Sequence, residues 1–225
     1  MTLTVHHLNN SRSQRVLWLL EELGVPYEIK HYQRDAKTML APSALKKIHP
    51  LGKSPVVTDG DQTVAESGAI IEYILDRYGQ NRLAPATGTE AYRRYRYWMH
   101  YAEGSAMPPL VMKLVFLRLK TAPMPFFVKP VARLIANQVL AGFVDPQIRL
   151  HSGYMEQELA KSTWFVGEEF CAADIQMSFP IEAAAARGGL DHGLPRLQAY
   201  LERIHARPAY RRALEKGGPY ALLGG

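Results

Sequence analysis

Every run with the two-residue alternation of a β-strand lies in the first 65 residues; beyond Gly88 only helical periodicity recurs. The chain is thereby divided into a mixed beginning and an all-helical remainder. Leu3, Val5 and His7 alternate with Thr2, Thr4 and His6, which predicts a first strand. Asn9 to Ser13 supplies turn and capping residues, with Ser13 as the expected N-cap. Val16, Leu19, Leu20 and Leu23 then repeat at the spacing of one helix face. Gly24 and Pro26 end that helix, and Tyr27 to His31 reads as a second strand. After a mixed stretch over 32–52, with a short helix expected around Ser43–Ile48, two β-rich runs flank Asp59-Gly60, the signature of a hairpin. Glu66-Ser67-Gly68 opens a second helix, with Ile71, Ile74, Leu75 and Tyr78 on its apolar face.

The order βαβ, then ββα, is that of an α+β, thioredoxin-like domain, expected over residues 1–80. Residues 81–88 read as a linker. Residues 89–225 predict an all-α domain with helices near 89–118, 129–161, 172–187, 195–206 and 208–216. Pro123, Pro125 and Pro130 mark a loop between two long helices, and Asp145-Pro146 caps or kinks the second.

The composition is that of a globular chain: 225 residues, 47% hydrophobic and 21% charged. A surplus of 27 Lys and Arg over 21 Asp and Glu suits anionic ligands, yet no nucleic-acid-binding motif accompanies it, so no such partner is expected. One cysteine, Cys171, rules out an internal disulfide and suits a reducing, cytoplasmic setting. The opening residues lack a basic-then-apolar leader, and no run reaches the roughly 18 apolar residues of a membrane span.

Three motifs carry a resemblance: Ser11-Arg-Ser-Gln-Arg-Val-Leu-Trp-Leu-Leu, His49-Pro-Leu-Gly-Lys-Ser-Pro-Val-Val, and Ala65-Glu-Ser-Gly-Ala-Ile. In this order and spacing they resemble the cytosolic glutathione transferase family, and the first run is similar to serine-type bacterial and fungal members. The two-domain plan matches along the whole chain. The resemblance implies glutathione as co-substrate, no metal, a homodimer, and attack of the glutathione thiolate on a small apolar electrophile. A glutathione-dependent peroxidase or disulfide reductase, and a non-catalytic binding protein of the same fold, are the alternatives.

Chemistry gives each motif a task. A residue before a cis-proline offers its backbone to the central cysteine of an extended tripeptide, as a strand adds to a sheet edge; Ser54 holds that place and Pro55 is the expected cis residue. Glu66 can meet the γ-glutamyl amino group, while Ser67 and the helix N-terminus receive the γ-glutamyl carboxylate. Lys53 is placed for the glycine carboxylate, or else is a solvent-facing loop lysine. Lowering a thiol pKa from about 8.5 needs a nearby donor. The first loop has no tyrosine or cysteine, which leaves the Ser11 hydroxyl or, one residue earlier, the Asn10 amide. Arg12 beside them adds charge or simply faces solvent.

Tyr97, His100, Tyr101, Ser105 and Met107 lie where the family shapes its electrophile pocket, or else pack against the first domain. Cys171-Ala-Ala-Asp174 stands where the family has a capping box, so both residues are read as a structural cap. The segment 108–129 mixes apolar residues with Lys113, Arg118, Lys120 and Lys129; cover for the pocket or a subunit contact is expected there, and membrane association is not.

Overall fold

The structure is a computed structural model and describes residues 2–35, 38, 40–187, 190 and 193–223. Strands β1 (Leu3–Leu8), β2 (Tyr27–Tyr32), β3 (Val56–Asp59) and β4 (Gln62–Ala65) form one sheet in the order β2-β1-β3-β4. β2 runs parallel to β1, β3 antiparallel to β1, and β4 antiparallel to β3. Helix α1 (Ser13–Leu23) is the β1–β2 crossover and α2 (Ser67–Tyr78) follows β4, which completes a thioredoxin-like βαβ–ββα unit. The Asp59-Gly60 turn closes the β3–β4 hairpin with Gly60 at φ +58°, a value glycine adopts freely. Where a helix was expected near 43–48, the chain makes one 3₁₀ turn, Ser43–Lys47.

The remainder is helical: α3 (Glu90–Tyr101), α4 (Met107–Thr121), α5 (Lys129–Val139), α6 (Asp145–Glu158), α7 (Ala172–Ala186), α8 (Pro195–His205) and α9 (Pro208–Gly217). Thr89 caps α3 by accepting from the Tyr92 N–H at 3.1 Å. Two π-helical turns, Ala102–Ala106 and Leu140–Val144, join α3 to α4 and α5 to α6. Each lies just ahead of proline, at Pro108-Pro109 and Pro146, whose missing N–H groups break the ordinary ladder and favour a bulge.

The periodicity of α1 predicts one buried face, but Ser13 through Leu20 are all buried. The sheet and α2 cover one side while α7 and α9 cover the other. Ion pairs of Glu22 with Arg207, and of Glu21 with Arg212 and Lys216, hold α9 to it. One apolar core runs from Val5, Leu19 and Ile71 through Trp18 to Trp98, Phe165, Tyr200 and Tyr210, so both halves share it. The N-terminus of α1 is thereby fixed against the helical half.

Candidate active site

The peptide before Pro55 is cis, and β3 pairing begins one residue later at Val56. The Ser54 backbone therefore lies beyond the ladder, while its hydroxyl donates to the His6 carbonyl at 3.0 Å. Glu66 sits at the strand-to-helix junction with φ +72°, ψ 125°, a strained conformation for a residue with a Cβ. It is exposed, and the Ser67 that starts α2 behind it is buried. Such strain aims the Glu66 carboxylate and the first amides of α2 toward the same space.

That space is a cavity of about 380 Å³. Arg12, Lys53, Ser54, Pro55, Glu66 and Ser67, drawn from three separate stretches of chain, all line it. Arg34, His49, Leu51 and Glu103 line it too and were not anticipated. The cations Arg12, Arg34 and Lys53 and the carboxylates of Glu66 and Glu103 all contribute to its wall. One signal for Glu103 was present in the sequence: it is the single acidic residue between Glu90 and Asp145.

Glu103 ties the two halves together. Its carboxylate accepts from Arg12 Nε at 2.9 Å and from Arg15 Nη2 at 2.5 Å. Arg15 is 1% exposed and also donates to the Gln176 carbonyl at 2.6 Å. Both guanidinium groups stand 5.2 Å from the centre of the Phe179 ring. Burial alone would raise the Glu103 pKa, but Arg15 and Arg12 overcome it and hold the carboxyl below its usual range.

The two candidate thiol activators are placed differently, and neither lines the cavity. Asn10 is exposed at φ +51°, and its Oδ1 accepts from the Ala221 N–H at 2.6 Å, so it tethers the C-terminal tail. Ser11 is 4% exposed, its oxygen 2.7 Å from Ser13 Oγ. It accepts from the Ser13 N–H at 3.2 Å. Ser13 is thus the first helical residue and not the cap; the backbone is already helical at Arg12 (φ −59°, ψ −15°). Ser13 Oγ continues to His7 Nδ1 at 2.9 Å. Burial, then His31, lowers the His7 pKa to about 4, so the imidazole is neutral near pH 7. Of the residues Asn10, Ser11 and Arg12, Arg12 alone reaches the cavity wall.

Tyr97, His100, Tyr101 and Ser105 line a different cavity, of about 850 Å³, along α3 and the first π turn. It shares no residue with the first. Met107 joins neither and is buried against Leu110 and Phe179. At the start of α7, Asp174 accepts from the Cys171 N–H at 2.9 Å and the Phe165 N–H at 3.0 Å, and the Cys171 side chain takes the reciprocal place. Burial, then Asp174, pushes the Cys171 thiol well above its ordinary pKa.

A thioredoxin-like sheet whose cis-proline edge and helix N-terminus frame a charged cavity, joined to a helical domain, defines a class of two-domain tripeptide-thiol-binding enzymes. Residues 1–76 match the family model described as Glutathione S-transferase, N-terminal domain, and residues 137–208 match Glutathione S-transferase, C-terminal domain. Glutathione S-transferase 3 of Schizosaccharomyces pombe is 38% identical over 215 residues, covering 95% of this chain and 87% of that one. Glutathione S-transferase 1 of Saccharomyces cerevisiae is 33% identical over 220 residues, covering 94% of each. A crystal structure of a glutathione S-transferase from Actinobacillus pleuropneumoniae is similar with a TM-score of 0.80 and 36% identity, over 100% of this chain and 97% of that one. This chain belongs to the glutathione S-transferase family, and glutathione is its co-substrate.

Proposed function

We propose that the enzyme conjugates the glutathione thiolate to small apolar electrophiles, with residues 1–80 holding glutathione, 81–88 as linker and 89–225 shaping the electrophile side, in a homodimer. The observation that carries this reading is the convergence of Arg12, Lys53, Ser54, Pro55, Glu66 and Ser67 on one cavity. In the proposed pose the γ-glutamyl carboxylate meets Ser67 and the α2 N-terminus, and its ammonium meets Glu66. The cysteine backbone pairs with Ser54, and the glycine carboxylate meets Lys53. The thiol then lies toward the first turn of α1, where Ser11 supplies a hydroxyl donor, as in serine-type members. Its present bond to Ser13 Oγ must rotate toward sulfur for that role.

A second reading of the activator is favoured by one observation, that Arg12 reaches the cavity wall. There the guanidinium and the α1 N-terminus stabilise the thiolate without a hydroxyl. Wild type, Ser11→Ala, Asn10→Ala and Arg12→Ala assayed with a chromogenic electrophile and with an organic peroxide separate these readings. Ser11→Ala is expected to lose about tenfold to a thousandfold in kcat/KM with glutathione binding retained. Full activity in Ser11→Ala with the loss in Arg12→Ala moves the role to Arg12. Turnover of the peroxide alone overturns the conjugating reading.

A further inference from the structure

The residues 107–144, which span α4, its connection to α5 and the second π turn, contain no Asp or Glu but five basic residues. This stretch therefore holds most of the chain's formal charge of +6. Lys113 is paired with Asp145, whereas Arg118, Lys120, Lys129 and Arg133 form no ion pair among the described residues. α4 and α5 pack on each other, and residues 122–128 form the tip between them. At that tip Phe126 is 83% and Phe127 68% exposed, their rings in edge contact at 5.6 Å. Val128, Val131, Leu134 and Ile135 continue the exposed apolar surface along α5, which buries only Ala132 and Ala136.

Four unpaired cations flank this tip along the two helices. Arg118 and Lys120 lie in the last turn of α4, and Lys129 and Arg133 in the first turns of α5. At a rise of about 1.5 Å per residue, none is more than about 7.5 Å along its helix from the tip. That is within the Debye length of about 8 Å at physiological salt. An apolar point with a collar of unneutralised cations complements a bilayer surface bearing anionic headgroups, which takes phenyl rings below the headgroups and cations among them. A second copy of this chain carries the same net charge of +6, which opposes rather than favours its approach to the collar. A nucleic acid would neutralise the collar yet leave the apolar tip in water. No helix among the described residues is long and apolar enough to cross a membrane, so the contact is peripheral.

We propose that the Phe126-Phe127 tip of the α4–α5 hairpin docks this enzyme on membranes carrying anionic lipids. The test is sedimentation of the full chain with phosphatidylcholine vesicles, with and without phosphatidylserine, across a salt series. Wild type is expected to sediment with the serine-lipid vesicles and to be released by salt. Lys120→Glu/Lys129→Glu is expected to weaken partition by at least about 25-fold, at about fivefold per cation, and Phe126→Ser/Phe127→Ser by at least about tenfold. All four positions are solvent-facing or half-buried and outside the cavity walls, so thermal stability and conjugation in solution are expected to stay at wild-type level. Absence of wild-type sedimentation, or equal sedimentation of wild type and both variants, overturns the proposal. So does a shift from dimer to monomer in Phe126→Ser/Phe127→Ser by light scattering without vesicles, which would assign the tip to a second copy.

Discussion

Replacing Glu103 by alanine is the most informative single perturbation of the join between the two halves. The carboxylate accepts from both Arg12 and Arg15, and the two ends differ in worth. Arg12 and Glu103 have side chains 34% and 31% exposed, so solvent screens their pair to about 1 kcal/mol or less. Arg15 is buried, and without Glu103 the partners that remain to it among the described residues are the Gln176 carbonyl and the Phe179 face. Breaking a buried pair from one side costs about 3–5 kcal/mol, and the partial exposure of Glu103 puts this case near about 3. For a chain of this size that corresponds to a fall in Tm of roughly 6–12 °C. Because the Glu103 pKa is held below the ordinary value, its stabilisation is complete above the ordinary carboxylate range and disappears as pH falls through the native pKa. Urea unfolding of wild type, Glu103→Ala, Arg12→Ala, Arg15→Ala and the double variants at neutral pH yields both coupling energies. The Glu103–Arg15 coupling should exceed the Glu103–Arg12 coupling by at least about 1 kcal/mol. A Glu103→Ala loss below about 0.5 kcal/mol, or equal couplings, refutes the reasoning.

Further outcomes follow from the same geometry. His7 binds its proton in the native state only near pH 4, against 6.5 for a free imidazole, so the unfolded chain takes up that proton first and stability falls as pH drops through that window. His7→Gln should flatten the fall, by up to about 3 kcal/mol, in unfolding curves taken at pH 7 and pH 4.5. Asp174→Ala leaves the Cys171 and Phe165 amides without acceptors and should cost about 2–5 kcal/mol in chemical denaturation. Native Cys171, buried with a raised pKa, should resist iodoacetamide and react on addition of urea, as read by mass spectrometry; rapid native labelling contradicts its placement.

Much of the first domain was legible because its signals are local. The Asp59-Gly60 turn and the Gly24 cap each fix an element without help from distant residues. The cavity residues Lys53 to Pro55 and Glu66-Ser67 were legible for a related reason, since their roles depend on backbone features that short motifs carry. What was hidden depends on tertiary contact. The burial of α1 on every side arises only when α7 and α9 close over it. Glu103 lies in a π turn and reaches the cavity from there, and the lone carboxylate in a basic stretch carries no local mark of its partners. Tyr97, Tyr101 and Ser105 share a helix face, as their spacing says, but with His100 they line a separate cavity. The Ser11 hydroxyl points into a Ser13–His7 chain that no spacing rule anticipates.

Titration calorimetry of glutathione into wild type and Ser67→Ala tests the central claim most directly, because Ser67 stands at the one end of the cavity where hydroxyl and helix N-terminus coincide. The account predicts saturable binding with one site per chain in wild type, weakened about tenfold or more in Ser67→Ala at unchanged Tm. Wild type without saturable heat, or Ser67→Ala binding as tightly as wild type, would contradict it.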